Sequence, residues 1–294
     1  SLVWRPRGAE LVDRRARHGL GEYLYVLGKD SSAARSVSGV RFGGTLAPPP
    51  LVAWQTSRAD APGAWSFTQE IRVVAGLDRV DIVLRFDKLP VREKEAVHVA
   101  LPFLVLGGQV RFDVASGIVR PDSEQLRGSL RNFVTVQSWA DVSNDSVGVT
   151  WATPDAPLVE VGGIFAELPW MRAIPRTQTL LSYAMNNYWH TNFKAEQGGP
   201  VAFQFAFRPH AAFLPEEAVR LGAERRALLV VAPAHGAPLL PSLFTLSGGT
   251  VVATSVRPTS DGAGWLVQLF NPAADTQTVR FSLRRGERVR LTAS

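Results

Sequence analysis

Residues 183–199, YAMNNYWHTNFKAEQGG, bring three asparagines, four aromatic rings, a histidine, a lysine, a glutamate and a glutamine into 17 positions. Amides and ions exchange hydrogen bonds with hydroxyl groups. Aromatic faces cover apolar C–H surfaces. Together that is the chemistry of a sugar site, with Asn186, Asn187, Trp189, His190 and Asn192 as the candidate contacts. The same composition also suits a buried polar network that locks sheets together. The residues alone leave both readings open.

Other chemistry has weaker support. The five histidines, His18, His98, His190, His210 and His235, form neither H-x-H nor H-E-x-x-H, and cysteine is absent. A zinc site in this chain would need His, Asp and Glu ligands far apart in sequence, so no metal ligand is assigned. No G-x-S-x-G elbow exists, and Ser38 and Ser116 read as turn serines. No glycine-rich phosphate loop is present. A glycosidase uses two carboxylates, but no spacing among the acids from Asp113 to Glu196 selects a pair. His98 lies in an apolar run and reads as a hydrogen-bonded strand histidine. His190 with Glu196 is the one nearby acid–base pair.

These residues need elements to hold them. The dominant hydrophobic period is two: FTQEIRVV (67–74), VDIVLRF (80–86), VHVALPFLV (97–105), VAFQFAF (201–207) and WLVQLF (265–270) all read as strands. In 201–207, Val201, Phe203, Phe205 and Phe207 share one face, which predicts packing on a second sheet. Trp139, Trp151, Trp170 and Trp265 read as core, and Lys94 with Glu95 as a structural pair. Residues 45–63, rich in Pro and Ala, read as a long loop, and SDGAGW (260–265) as a hairpin turn. The one helix signal is 215–226, with Pro215 and two acids at its start and Arg225 and Arg226 at its end. The chain therefore reads as all-β, with a division near 210–225: a large sandwich over 1–212, then a short helix and a small β-sandwich over 213–294.

Composition sets the outer limits. The chain has 294 residues, 46% apolar and 20% charged, which excludes a disordered chain. The formal charge is +6, carried mostly by arginine. Those arginines are scattered, with no aromatic-interleaved basic tract, so nucleic acid is not an expected partner. No apolar run is long enough to span a membrane as a helix. The opening residues SLVW already read as a strand, so the chain reads as a piece of a larger protein.

Five segments together resemble the C-terminal β-domains of glycoside hydrolase family 38, the α-mannosidases, bacterial type. They are ELVDRRARHGLGEYLYVLGKD (10–30), LDRVDIVLRFDKLPVREKEAVHVALPF (77–103), VQSWADVSNDSVGVTWATPDAPLVEVGGI (136–164), YAMNNYWHTNFKAEQGG (183–199) and SVRPTSDGAGWLVQLFNP (255–272). The resemblance implies a galactose-mutarotase-like β-supersandwich followed by a small β-sandwich. It also implies that the catalytic residues and their zinc lie on an N-terminal barrel absent from this chain. On that reading the chain has no catalytic residue and no cofactor of its own. Its partners are the barrel, which leaves an apolar docking face here, and a mannose-containing glycan, met by Asn186, Asn187, Trp189, His190 and Asn192. An autonomous carbohydrate-binding module and a mutarotase- or lyase-like enzyme on the same fold are the alternatives.

Overall fold

The computed structural model describes residues 1–45, 52–115, 117–165, 169–189, 194–227 and 242–283. The chain forms two compact units, Ser1–Phe213 and Leu214–Ser294.

The first unit begins with a short ribbon, β1 (Val3–Trp4) with β2 (Ala9–Glu10). Then follow β3 (Glu22–Leu27), β4 (Arg35–Ser36), β5 (Ser38–Thr45), β6 (Val52–Asp60), β7 (Ala64–Val74), β8 (Val80–Lys88) and β9 (Glu95–Pro102). The chain continues through β10 (Gln109–Val114), β11 (Gly117–Val119), β12 (Val134–Thr135), β13 (Trp139–Ser143) and β14 (Gly148–Ala152). The unit closes with β15 (Leu158–Val161), β16 (Thr179–Asn186) and β17 (Gly199–His210). These strands make two antiparallel sheets. One has six strands in the order β12-β15-β16-β9-β3-β4, the other nine in the order β11-β10-β13-β14-β17-β8-β7-β6-β5.

The core lies between the sheets. Tyr23, Tyr25, Val97, Val99 and Leu101 enter it from the six-stranded sheet, and Phe67, Phe86, Trp151, Phe205 and Phe207 from the nine-stranded one. The Tyr23 ring stands edge-on to Phe67 and Phe86 at 5.3 and 5.4 Å. Burying each such ring contributes about 1.5–3 kcal/mol. Phe203, Phe205 and Phe207 of β17 all face inward, as the alternation in 201–207 predicts. Gly63, in the turn between β6 and β7, has φ +77°, and a Cβ there would clash with three atoms of the Tyr25 ring, all closer than 3.0 Å. The turn thus needs glycine for its backbone and for its space.

The second unit contains α1 (Pro215–Arg226) and two ribbons: β18 (Phe244–Ser247) with β21 (Arg280–Leu283), and β19 (Val252–Pro258) with β20 (Trp265–Phe270). Ala218 and Leu221 of α1 are buried, as is Val252 at the start of β19. The Phe244 and Phe281 rings stack at 4.6 Å. The β19–β20 turn is the expected hairpin: the Asp261 carboxylate accepts hydrogen bonds from the Thr259 hydroxyl and the Ala263 N–H.

The all-β architecture matches the sequence reading; three details do not. Residues 52–60, expected within a loop, form β6, which pairs with β5 and β7. No residue of β6 is fully buried, so no core face marked it as a strand. Trp170 and Trp265, expected in the core, are 63% and 57% exposed. Lys94 does not pair with Glu95, because adjacent residues of an extended chain point apart. Glu95 pairs with Lys88, and Lys94 donates to the Tyr188 carbonyl.

Candidate carbohydrate-contacting face

The six-stranded sheet turns a second face away from the core. Strand β9 is buried along all eight residues, so this outer face is covered too. Two cross-strand rows define it. Glu22, Ala100, Leu181 and Glu160 are successive partners across β3, β9, β16 and β15; Leu24, His98 and Tyr183 form the next row.

His98 and Glu160 sit at its centre with no exposure to solvent, and His98 Nδ1 lies 2.9 Å from Glu160 Oε2. The Tyr183 ring stacks on the imidazole at 4.8 Å, with 3° between the planes. The second Glu160 oxygen accepts the Phe165 N–H at 2.7 Å. Asn132 then donates to the Phe165 carbonyl at 2.7 Å and accepts the Met171 N–H at 3.0 Å. Expected to be hydrogen-bonded, His98 instead meets Glu160 only at ion-pair distance, and neither ring nitrogen makes a hydrogen bond among the described residues. Glu160 and Asn132 are the groups that hold Phe165 and Met171. A histidine on a carboxylate is a general acid–base arrangement, but no solvent path reaches this one.

Beside these groups, a cavity of about 480 Å³ opens between the sheet and loops 13–18, 31–34 and 162–165. Leu24, Ala100, Leu181 and Ile164 give it an apolar floor. Asp13, Arg17, His18, Ser31 and Ser32 line it with polar groups. His18 Nδ1 is held 3.2 Å from the Glu22 carboxylate. An apolar floor with a few polar groups is the usual build of a small-ligand cleft. No local pattern marks it, because its lining comes from six separated segments.

At the other end of the face is the amide- and aromatic-rich segment. Trp189 is 43% exposed, its ring 6.2 Å from Phe133 and 6.4 Å from Tyr188. Asn186 ends β16 and lines a narrow recess with Lys88, Glu95 and Gln197. Asn187 is buried: its carbonyl oxygen accepts the Glu95 N–H, and its amino group faces the carbonyls of Val91, Glu93 and Ala195 at 2.9–3.1 Å. Its carboxamide thus ties three segments together. His190 and Asn192 lie outside the described residues. Glu196, the proposed partner of His190, has its carboxylate 3.0 Å from the exposed Arg92 guanidinium.

Lys88 and Glu95 form a buried ion pair beside this end, and the Tyr25 hydroxyl donates to Glu95 at 2.7 Å. Burial first, then that hydrogen bond, holds the Tyr25 hydroxyl far above the usual phenol range. It stays protonated as a donor.

A second cluster lies on the outer face of the nine-stranded sheet. Buried Asp141 accepts from the Ser143 hydroxyl, from Thr150 at 2.9 Å and from His210 Nε2 at 2.7 Å. His210 Nδ1 lies 3.0 Å from the Ala211 carbonyl, so neither ring nitrogen addresses the serine. A nucleophile needs its base within hydrogen-bond reach, and this cluster lacks that contact. Among the described residues no group of three or more His, Asp or Glu side chains could hold a metal ion. These residues do not fit a zinc centre. Also among them, no helix is long and apolar enough to cross a membrane.

Two solved structures from Enterococcus faecalis share this architecture. One is a protein in glycosyl hydrolase family 38 (TM-score 0.63, 12% identity), covering 90% of this chain and 36% of its own. The other is an α-mannosidase (TM-score 0.60, 13% identity), covering 89% of this chain and 34% of its own. The likeness is one of fold. This chain spans about a third of the length of either structure. A galactose mutarotase-like protein from Lactobacillus casei overlaps with a TM-score of 0.36, too distant to argue from. No family model matches the sequence. No curated protein matches it either.

Proposed function

We propose that this chain is the non-catalytic β-region of an α-mannosidase-like glycoside hydrolase, which braces a catalytic barrel and contributes to carbohydrate binding. One observation carries the reading: the fold likeness extends over nine-tenths of this chain but only about a third of the two glycoside hydrolase structures. On this reading hydrolysis and its zinc belong to the remaining part of the parent protein.

The sugar contacts are assigned to the outer face of the six-stranded sheet. Trp189 supplies an exposed ring and Asn186 an amide at its edge. Asn187 shapes that edge from beneath through its four backbone partners. His190 and Asn192 complete the proposed contact set from the same segment.

The test is turnover. The purified chain is incubated with an aryl α-mannoside, with and without added zinc. No aryl release above buffer is the expected result. Release that survives purification and disappears with a substitution in this chain would overturn the proposal.

A further inference from the structure

The outer face of the nine-stranded sheet carries a groove of about 390 Å³ between β5, β6 and the start of β7. Two irregularities build it. Strand β5 shifts register against β6 between Ser38 and Arg41, and β7 shifts against β8 between Ala64 and Ser66. Trp65 is the extra residue of that second bulge, and it stands 75% exposed at the groove. Bulges re-aim side chains and recur beside functional sites.

Arg41 and Arg58 are direct cross-strand partners, and Thr68 continues the row on β7. Like charges directly opposite on paired strands are destabilising. Neither guanidinium has an ion-pair partner among the described residues. By contrast, Arg72 and Arg85, further along this face, both engage Glu70. Asp60 lines the groove at its other end, close against Gly39, where a Cβ would meet Asp60 Oδ2 at 2.8 Å. Two cations thus face one carboxylate around an exposed indole.

We propose that this groove binds an anionic sugar, a pyranose bearing a carboxylate or phosphate group. The guanidinium pair takes the acid group through forked, charge-assisted hydrogen bonds. The Trp65 face covers the C–H side of the ring. Asp60 and Thr68 accept hydrogen bonds from ring hydroxyls. The site is independent of the six-stranded sheet and does not rest on the mannosidase reading.

The experiment titrates this chain at low salt with glucuronate, mannose 6-phosphate, neutral mannose and inorganic phosphate, reading indole NMR resonances. At least one anionic sugar binds tenfold or more tighter than mannose and inorganic phosphate, moves the Trp65 indole, and weakens as salt rises. Which one binds separates the carboxylate from the phosphate. Arg58→Gln and Trp65→Ala each lower the affinity at least tenfold. Arg58→Gln also raises the unliganded melting midpoint by about 1–2 °C, because it relieves the Arg41 repulsion. Equal binding of mannose, binding of inorganic phosphate as tight as that of the sugars, no binding at all, or a lower midpoint in Arg58→Gln would each overturn the proposal. So would tighter binding of a single-stranded oligonucleotide.

Discussion

Lys88 Nζ lies 2.7 and 2.8 Å from the two carboxylate oxygens of Glu95, and the side chains are only 2% and 5% exposed. The pair joins the end of β8 in one sheet to the start of β9 in the other. Tyr25 and the Leu89 carbonyl fill its remaining hydrogen-bonding positions. Removing one member leaves the other charged and buried. We expect Lys88→Met to destabilise the chain by about 3–5 kcal/mol. Lys88→Met combined with Glu95→Leu and Tyr25→Phe removes the charges together, so its cost falls well short of the sum of the single substitutions. Urea unfolding of the variants measures both.

Asp113 lies near the end of β10 and gathers the chain entering β13. Its Oδ1 accepts the N–H groups of Gln137, Ser138 and Trp139 at 2.9–3.0 Å. Burial pushes the carboxyl above the usual aspartate range, although those hydrogen bonds pull it down. The folded protein therefore holds a proton there more readily than the unfolded chain. That contribution is full below the unfolded value of about pH 4 and is lost as pH rises through the folded value. Asp113→Asn keeps the accepting oxygen and removes the titration. It should flatten this part of the pH dependence at a cost of about 1 kcal/mol, whereas Asp113→Ala costs about 3 kcal/mol. Urea midpoints across the acid range distinguish the two.

Asn187 separates the two roles open to its segment. Its carboxamide is occupied by backbone groups of residues 91–95 and Ala195. Asn187→Ala should cost about 2–3 kcal/mol, while the protein still folded binds sugar with little change. A sugar affinity lost in step with the side chain, at unchanged stability, would instead make Asn187 a direct contact.

Much of the fold was legible because inward faces alternate. Phe203, Phe205 and Phe207 against Ala202, Gln204 and Ala206 define β17 in any reading of the sequence. Strand β6 lacks such a face: Trp54 is 40% exposed, and of its residues Ala59 packs against the core while none is fully buried. The partner of Glu95 was misread for a related reason. Chain neighbours compete for attention in a sequence, but strand pairing and loop return bring Lys88 to it instead. The His98–Glu160 contact and the cavity beside it depend on the β9–β16–β15 register. No local pattern encodes that register. The 183–199 segment was visible by composition, yet only the structure shows that Asn187 points inward to carbonyls while Trp189 remains partly exposed.

The measurement that tests the central claim most directly is an NMR titration of this chain with α-mannobiose, following protein indole and sugar resonances in one sample. The account predicts that the Trp189 indole shifts selectively at millimolar sugar, that the shift is absent in Trp189→Ala, and that the disaccharide remains intact with zinc present. An unmoved Trp189 indole in a folded sample would contradict the binding role. Free mannose accumulating in that tube, and absent when this chain carries an inactivating substitution, would contradict the non-catalytic one.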